Sequence, residues 1–298
     1  MKLHRLTIFT PTYNRAHTIE RTYHSLCRQS CKEFDWLIID DGSTDNTASI
    51  VKAWVAENKI PIRYVYKENG GLYTGYNVAY SLIESELCVC VDSDDYMPDD
   101  AVEKIYRCWI ERGGEQYAGL IGLDFHLDGT PIGGYFPTGL DNVGFMDLYI
   151  KKLHLGDVKP VLRTDLMKTV APMVGFEGEK NFNPAYMMMQ VCDRYPILLL
   201  NENLCFVDYQ TGLDSMSAGI WKQYRNSPHS FQKQRILELQ LVHNSWKNRI
   251  RVAIHYVASS LIAHDKGWLR KSPKKWITLL VSPMGFMLYL LILYKSRN

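Results

Sequence analysis

Short apolar runs alternate with amphipathic stretches over the first 126 residues of the chain. The apolar runs occupy residues 6–10, 36–39, 62–66, 87–91 and 119–125. Runs such as LTIF and WLII are apolar at nearly every position, which is typical of strands buried on both faces of a parallel sheet. The stretches between them repeat apolar positions at helical spacing, over residues 18–29, 45–57, 74–84 and 99–112. This alternation predicts an α/β fold with a Rossmann-like, mostly parallel twisted sheet flanked by helices.

The pattern changes after this first part. Residues 127–160 are rich in Gly and Pro and predict loops around a short helix at 145–152. Further helices are predicted at 164–168 and 184–194, and ILLLNENLCFVDYQ (197–210) predicts two strands joined by a turn. After about Gly219 the chain becomes helical, basic and aromatic. We therefore expect a catalytic domain over residues 1–219 and a separate C-terminal helical region over 220–298.

The end of the chain combines basic residues with a long uncharged run. Basic side chains cluster around Trp268 and Trp276, and residues 276–294 then carry no charge. A run of this length falls within the range of about 17–25 residues that spans a bilayer. Pro283 and Gly285 interrupt it, which favours a broken or re-entrant segment in one leaflet. We expect residues 268–298 to bind an anionic membrane surface. A helix buried within the folded protein is the alternative.

Composition and charge limit the possible partners and compartment. The chain has 34 basic and 32 acidic residues, so no overall basic surface for nucleic acid is expected. None of its seven cysteines forms a CxxC pair, which favours free thiols in a reducing compartment. The N-terminus lacks the apolar run of a secretory signal. We expect a cytoplasmic protein, peripheral or monotopic on the inner face of the cytoplasmic membrane.

An acidic cluster, VDSDD, directly follows the fourth apolar run. Asp92 and Asp94 flank a single residue, so on an extended strand end both carboxylates point the same way. Such a pair could share a hard divalent cation with a diphosphate group. The alternative is that the acids of this region only begin the next helix, which explains Asp99 and Asp100 better than Asp92 and Asp94.

Three other predicted strands also end in polar or loop-forming groups. The sequences are FTPTYNR, IIDDGSTD and KENGG. Each alone is compatible with a simple turn or helix cap. Because parallel strands end at the same edge of a sheet, their coincidence indicates a ligand site there.

In this order, TPTYNR, IIDDGSTDNT, ENGG and VDSDD resemble the N-terminal half of glycosyltransferase family 2 over roughly residues 5–126. These are inverting nucleotide-sugar enzymes with a GT-A fold. The resemblance implies a metal-dependent inverting transferase that uses a nucleotide-diphospho-sugar, and we expect this donor to be UDP-linked. The acceptor implied is a saccharide or lipid-linked saccharide of capsule, exopolysaccharide or lipopolysaccharide assembly.

The resemblance also implies roles for individual residues. Mg²⁺ or Mn²⁺ would be held by Asp94, with Asp92 as the second ligand on the ribose and sugar side. Asp41 is the implied contact to the nucleotide base and Asp40 its support. The other implied donor-binding residues are Thr10, Pro11, Tyr13, Arg15, Asn69, Gly70, Asn77 and Ser93.

The chain departs from the family at two places. Tyr76 stands where many relatives have an arginine, so the resemblance does not supply the diphosphate contact expected of that arginine. Lys67 is only a nearby candidate for it. The family's catalytic base comes from a Glu-Asp pair, and Glu179 matches its first acid while Lys180 replaces the second. Glu179 is therefore the expected base.

Alternatives to that base remain open. Glu177 and Asp157 are rival bases, and Glu179 could instead only cap the helix near Pro184. Residues 208–217 weakly resemble a family loop near the acceptor.

Two other functions are compatible with parts of the sequence. A sugar-nucleotidyltransferase would carry a Gly-rich loop after the first strand, and TPTYNR has no glycine. A non-catalytic nucleotide- or membrane-binding scaffold with a degraded site is favoured by Lys180. The intact Asp41, Asp92 and Asp94 argue against it.

Overall fold

A mixed sheet of eight strands forms the centre of the protein. The computed structural model describes residues 5–208 and 219–297. The strands are β1 (Leu6–Thr12), β2 (Phe34–Asp40), β3 (Ile62–Tyr66), β4 (Leu87–Cys90), β5 (Gly119–Phe125), β6 (Asn142–Val143), β7 (Val158–Arg163) and β8 (Ile197–Phe206). Their order across the sheet is β3-β2-β1-β4-β7-β5-β8-β6.

The direction of the strands changes in the middle of this sheet. Strands β3, β2, β1 and β4 are mutually parallel, so their carboxyl ends meet at one edge. Strand β7 runs antiparallel between β4 and β5. Strand β8 is parallel to β5, and β6 closes that edge antiparallel to β8.

Helices cover both faces of the sheet and continue to the end of the chain. They are α1 (Ile19–Arg28), α2 (Thr47–Glu57), α3 (Leu72–Leu82), α4 (Ala101–Arg112), α5 (Phe145–Ile150), α6 (Thr164–Val170), α7 (Ala185–Cys192), α8 (Ile220–Asn226), α9 (Pro228–Gln240), α10 (Trp246–Ile262), α11 (Trp268–Lys271), α12 (Lys275–Leu280) and α13 (Ser282–Lys295).

Two apolar layers bury the sheet, as the unbroken apolar runs predict. One layer packs α1, α2 and α4 against one face, and the other packs α3, α6 and α7 against the opposite face. In the first layer Tyr23 stacks on Trp54 with ring centroids 4.2 Å apart, and Trp36 lies fully buried beside them. The predicted Rossmann-like fold is confirmed, including the five strands and four helices expected before residue 126.

Two predictions about the second half are wrong. Residues 197–206 form one strand, β8, rather than a strand pair with a turn. The polar residues in its middle cause a shift of register against β5, and the parallel pairing resumes beyond it, Asp124 opposite Cys205. Strand β7 lies in a region where only loops were expected, because Lys159 and Pro160 interrupt its apolar pattern.

The C-terminal helices form their own small cores around α10. Gly285 of α13 lies against Val257 of α10, since a Cβ added there would come within 2.5 Å of the Val257 side chain. The break predicted near Pro283 falls at Val281, between α12 and α13. Within residues 5–208 and 219–297, none of the helices has the length and apolar character needed to cross a bilayer. The proposed division of the chain at residue 219 stays a prediction.

Candidate functional site

Four strand ends form the candidate site at one edge of the sheet. In the register of the parallel strands, Thr12 lies opposite Asp40, and Asp40 lies opposite Tyr66. Phe9 of β1 is paired with Cys90 of β4, which places the loop after β4 beside the loop after β1. The motifs quoted from the sequence are therefore brought together as expected.

Asp41 organises the loop that follows β3. One carboxylate oxygen accepts from the Gly70 N–H at 3.0 Å, and the other accepts from the Gly71 N–H at 2.8 Å. Lys67 forms an ion pair with Asp41, and the Asn69 amide donates to the Asp41 carbonyl at 2.8 Å. The buried carboxylate thus holds the donor loop, residues 67–71, against the end of β2. A contact to a nucleotide base by Asp41 stays a prediction, and Lys67 already neutralises this acid.

The Asp40 side chain stabilises the turn after β2. It is fully buried and accepts from the Ser43 N–H at 2.7 Å and from the Tyr64 hydroxyl at 2.6 Å. Gly42, at φ +85°, lets this turn approach Asn69 closely, since an added Cβ would lie 2.8 Å from the Asn69 nitrogen. These contacts hold the turn, and the support of a nucleotide-base contact by Asp40 stays a prediction.

The loop after β1 has an inner and an outer part. Thr10 is buried, donates to the Val91 carbonyl at 2.7 Å and accepts from the Trp36 indole at 2.9 Å. Pro11 is buried beside Gly75. Tyr13 is exposed and Arg15 is half-buried, so a ligand can reach both of these side chains.

The acids after β4 divide into paired and unpaired groups. Asp99 pairs with Arg28 at 3.0 Å and Asp100 with Lys104 at 3.1 Å. Asp95 lies 3.5 Å from the Lys159 ammonium. Within the part of the chain that the structure describes, no basic side chain lies within 4 Å of the carboxylates of Asp92 and Asp94.

The electrostatics of Asp94 reflect this missing partner. Burial raises the pKa of Asp94 above its ordinary value, and the neighbouring Asp92 charge raises it further. The charges of Arg15 and Lys159 act in the opposite direction without cancelling the shift. A positive charge placed between Asp92 and Asp94 would favour both ionised carboxylates. Ser93, between them, is buried.

These two carboxylates fit a shared hard cation only if other oxygen ligands complete it. Over the described residues, no group of three or more His, Cys, Asp or Glu side chains converges on a metal position. A divalent cation would therefore take its remaining ligands from a diphosphate and from water. This is the coordination expected for Mg²⁺, which usually keeps several waters and uses substrate phosphates.

The side chains of Asn77 and Tyr76 make contacts with other residues of the protein. The Asn77 side chain donates to the Met173 carbonyl at 2.9 Å and accepts from the Met173 N–H at 2.8 Å. It thereby ties α3 to the segment before α7, and a donor contact by Asn77 stays a prediction. Tyr76 packs edge-on against Phe9 with ring centroids 5.1 Å apart.

Glu179 lies at the first turn of α9. Its Oε1 accepts from the His229 N–H at 3.0 Å and lies 2.8 Å from Nδ1 of the same residue. Its Oε2 accepts from the Ser230 N–H at 2.8 Å. The carboxylate therefore caps a helix, but the helix is α9 rather than the one near Pro184 that the alternative expected. Of the rival bases, Glu177 and Asp157 are both exposed.

The segment that carries Glu179 rests on the donor loop. Gly71 has φ +93°, and a Cβ added to it would lie 2.2 Å from the Lys180 carbonyl oxygen. The Lys180 ammonium donates to the Asn69 side chain at 2.5 Å. The lysine that departs from the family thus joins the two loops, a contact that sequence spacing alone does not reveal.

Lys159 and Asp124 were not among the expected site residues. Lys159 has an exposed side-chain fraction of 8% and lies 3.7 Å from Asp124 on β5, in addition to its contact with Asp95. The sequence feature that could have indicated Lys159 is its position as a single lysine inside the otherwise apolar stretch VKPVL. Of the segment 208–217, Asp208 pairs with Arg21 at 2.7 Å, and residues 209–217 lie outside the described residues.

Comparison with known proteins gives a family for the first part of the chain. Residues 7–121 match the family model described as "Glycosyl transferase family 2". The chondroitin synthase of Pasteurella multocida is 36% identical over 104 residues, which are 34% of this chain and 11% of that protein. The chain spans about a tenth of the length of this synthase and of the hyaluronan synthase that it also matches.

Two further similarities extend over more of the chain. The putative teichuronic acid biosynthesis glycosyltransferase TuaG of Bacillus subtilis is 27% identical over 232 residues, covering 73% of this chain and 83% of that protein. The structure of S. aureus TarS 1-349 in complex with UDP-GlcNAc superposes with a TM-score of 0.63 at 19% identity. It covers 98% of this chain and 80% of the TarS chain, and so the GT-A fold is shared.

Proposed function

Residues 7–121 form a glycosyltransferase family 2 domain, and from this premise we propose that the protein transfers a sugar from a UDP-sugar to a saccharide or lipid-linked saccharide acceptor. TuaG, which aligns over most of its own length, is named for teichuronic acid biosynthesis, and the similar TarS structure contains UDP-GlcNAc. Both similarities support a role in bacterial capsule, exopolysaccharide or lipopolysaccharide synthesis.

The observation that carries this proposal is the unpaired state of Asp92 and Asp94. Other acids between residues 92 and 100 have basic partners in the described structure, whereas these two have none within 4 Å. They lie at the carboxyl end of a parallel strand, where α/β sheets bind ligands. Mg²⁺ or Mn²⁺ held by Asp94 and Asp92 would neutralise the negative charge that develops on the leaving diphosphate.

The protein's own side chains would orient the donor. Tyr13 and Arg15 are accessible after β1, and the Arg15 charge acts on Asp94. Arg15 is therefore the best candidate to contact the diphosphate in place of the arginine that Tyr76 replaces. The donor loop, held by Asp41, supplies Asn69 and Gly70 on the nucleotide side.

Inverting transfer proceeds by one displacement. The acceptor hydroxyl oxygen bonds to the anomeric carbon while the bond from that carbon to the diphosphate breaks, and the hydroxyl proton passes to a base. Glu179 is the base of this proposal, because its segment lies on the donor loop through Lys180 and Gly71. Its contact with His229 offers a second group that can share the proton.

A panel of nucleotide sugars tests the proposed activity. Hydrolysis and thermal shift are measured with each donor plus Mn²⁺, with and without EDTA, for the wild type, D92N and D94N. D99N serves as the matched control, because Asp99 loses only an exposed pair with Arg28. We expect a stabilising response to one UDP-sugar that requires the metal and is lost in D92N and D94N. No metal-dependent response to any donor would overturn the proposal.

We also propose that α12 and α13 bind the cytoplasmic face of an anionic membrane. Their outward side exposes large apolar side chains, with fractions of 85% for Trp276, 80% for Leu280 and 70% for Met287. Exposed Arg270 and Lys275 lie next to this face. Apolar insertion beside basic residues is the usual composition of an interfacial helix.

Vesicle sedimentation tests this membrane contact. Vesicles containing phosphatidylglycerol are compared with pure phosphatidylcholine, using the wild type and a triple variant, W276S/L280S/M287S. V242S is the control, because Val242 is 73% exposed but lies outside this face. We expect binding to the anionic vesicles that the triple variant loses and the control retains. Equal binding by the wild type and the triple variant would contradict the proposal.

A further inference from the structure

A buried lysine lies directly beneath the loop that carries Asp92 and Asp94. Lys159 comes from β7, which is inserted between β4 and β5. Its ammonium lies 3.5 Å from Asp95 Oδ2 and 3.7 Å from Asp124 Oδ1, and all three side chains are less than a tenth exposed. The Lys159 side chain thus contacts the loop from the interior of the protein and not from the solvent side.

The lysine remains charged in this place. Burial lowers the pKa of Lys159, but the nearby carboxylates, Asp124 and Asp95 among them, outweigh burial and hold the pKa well above its ordinary value. A buried ammonium is strongly unfavourable unless acids lie beside it. Lys159 and its two acids therefore form one internal charge cluster. Removing the lysine would leave two buried carboxylates without a counter-ion, whereas removing one acid leaves the lysine paired with the other.

Asp95 connects this cluster to the loop after β4. Its N–H donates to the Asp92 carbonyl at 3.1 Å, and its carbonyl accepts from the Thr22 hydroxyl at 2.7 Å. The next residue, Tyr96, exchanges two backbone hydrogen bonds with Phe206 of β8. The backbone of residues 92–96 is thus fixed on several sides, and the contact with Lys159 fixes the one acidic side chain that turns inward.

We propose that Lys159 is a positioning residue for the donor site. By holding Asp95 inside the protein, it keeps this acid away from the ligand side of the loop and leaves Asp92 and Asp94 as the pair that faces a diphosphate and its cation. The inference rests on the proposed function. Without Lys159, the Asp95 carboxylate would be buried beside Asp124 with no counter-ion and would turn toward solvent, which changes the turn between Asp92 and Asp95.

Asp124 provides the comparison that separates positioning from simple charge compensation. It contacts the same ammonium from β5 and is as deeply buried as Asp95, but it lies outside the loop. If Lys159 acts only by stabilising the interior, removal of either acid should have the same effect. If it acts through the loop, only the Asp95 side of the cluster matters for the ligand.

Binding of Mn²⁺ in the presence of UDP, measured by the loss of the free Mn²⁺ EPR signal, tests this inference without any turnover. The proteins are the wild type, K159M, D95N, D124N and the double variant D95N/K159M. We expect K159M and D95N to weaken binding by about tenfold or more, as outer-shell substitutions commonly do, and D124N to change it by less than about threefold. The double variant should bind no more weakly than the weaker single variant, because both changes break one contact.

The outcomes separate this inference from the proposed function. Suppose that the wild type binds Mn²⁺ with UDP. The positioning role is overturned if D95N and D124N lose this binding equally, or if D95N loses none of it. Either result leaves the transferase proposal intact. If the wild type does not bind Mn²⁺ with UDP, the donor site itself is wrong and the inference fails with it. Should K159M fail to fold, the comparison of D95N with D124N still decides between the two roles.

Discussion

The Oε1 atom of Glu179 lies 2.8 Å from Nδ1 of His229, and the same carboxylate accepts two backbone N–H groups from the first turn of α9. Glu179 is thereby held in one orientation by a helix that begins 49 positions later, at Pro228. A carboxylate fixed in this way can serve as a base, a helix cap, or both, and the two roles predict different losses on substitution.

Replacing Glu179 by Gln should abolish transfer while the donor still binds. Gln keeps the size of the side chain but cannot accept a proton, and removal of a general base typically costs about 10²–10⁴-fold in rate. Transfer to an acceptor and UDP-sugar binding are measured in parallel. E177Q is the control, because Glu177 is exposed in the same segment. An E179Q protein with near-normal transfer would remove this residue from the mechanism and leave it as a cap.

Replacing Asp41 by Asn should weaken the donor loop. Both carboxylate oxygens accept backbone N–H groups, from Gly70 and Gly71, so an amide nitrogen in either position faces a donor. Leaving a buried donor unsatisfied costs about 1–3 kcal/mol, and the free energy of unfolding should fall by this amount. Thermal unfolding and UDP titration check it against D128N, an exposed acid. Unchanged stability and UDP affinity in D41N would show that the loop does not depend on Asp41.

Replacing Gly71 by Ala should disturb two loops together, and the chain offers a matched control. Gly71 and Gly129 have φ values of +93° and +84°, but an added Cβ meets Lys180 at 2.2 Å in the first case and nothing within 4 Å in the second. G129A should cost only the left-handed backbone conformation, about 1–2 kcal/mol. G71A should cost more and also weaken UDP binding. Equal effects of the two substitutions would mean that the Lys180 contact gives way easily.

Acid should destabilise the C-terminal helices through His255. The Tyr224 hydroxyl accepts from Arg235 at 3.1 Å and lies 2.9 Å from His255 Nδ1, so it can donate its proton to a neutral imidazole. Burial and the charges of Arg235 and Arg251 lower the pKa of His255 from 6.5 to about 4. The folded state therefore disfavours protonation of His255 relative to the unfolded chain. The contribution of neutral His255 to the free energy of unfolding is complete above pH 6.5 and is lost as the pH falls toward about 4.

The measurement is the difference in unfolding midpoint between pH 7 and pH 4.5. The wild type should lose more stability over this interval than H255N, whereas H264Q, at an exposed position, should follow the wild type. Identical pH profiles for the wild type and H255N would exclude His255 as the responsible group.

The sequence predicts the parallel half of the sheet well because those strands are apolar runs that pair in βα order. It does not predict β7, whose pairing with β4 joins residues more than 70 positions apart and whose pattern contains Lys159. The same limit applies to the site. The acids of the strand ends can be identified from their spacing, but which acid receives a basic partner depends on residues from distant elements.

The role of Glu179 illustrates this limit. The sequence indicates a helix cap only near Pro184, since the residues of that following helix are adjacent in the chain. The cap instead serves α9, because the segment before α7 folds back over the donor loop. Long-range packing of this kind has no local signal in a single sequence.

The insertion of β7 also constrains the order in which the chain can fold. Residues 7–121 carry the family match, which contains β4 and ends inside β5. These two strands are not neighbours and remain unbridged until residues 158–163 occupy the gap. On the ribosome, the nascent chain therefore exposes the open edge of β4 until synthesis has passed residue 163 and that segment has left the exit tunnel. A fragment cut at the end of the family match would keep the same open edge permanently and is expected to aggregate.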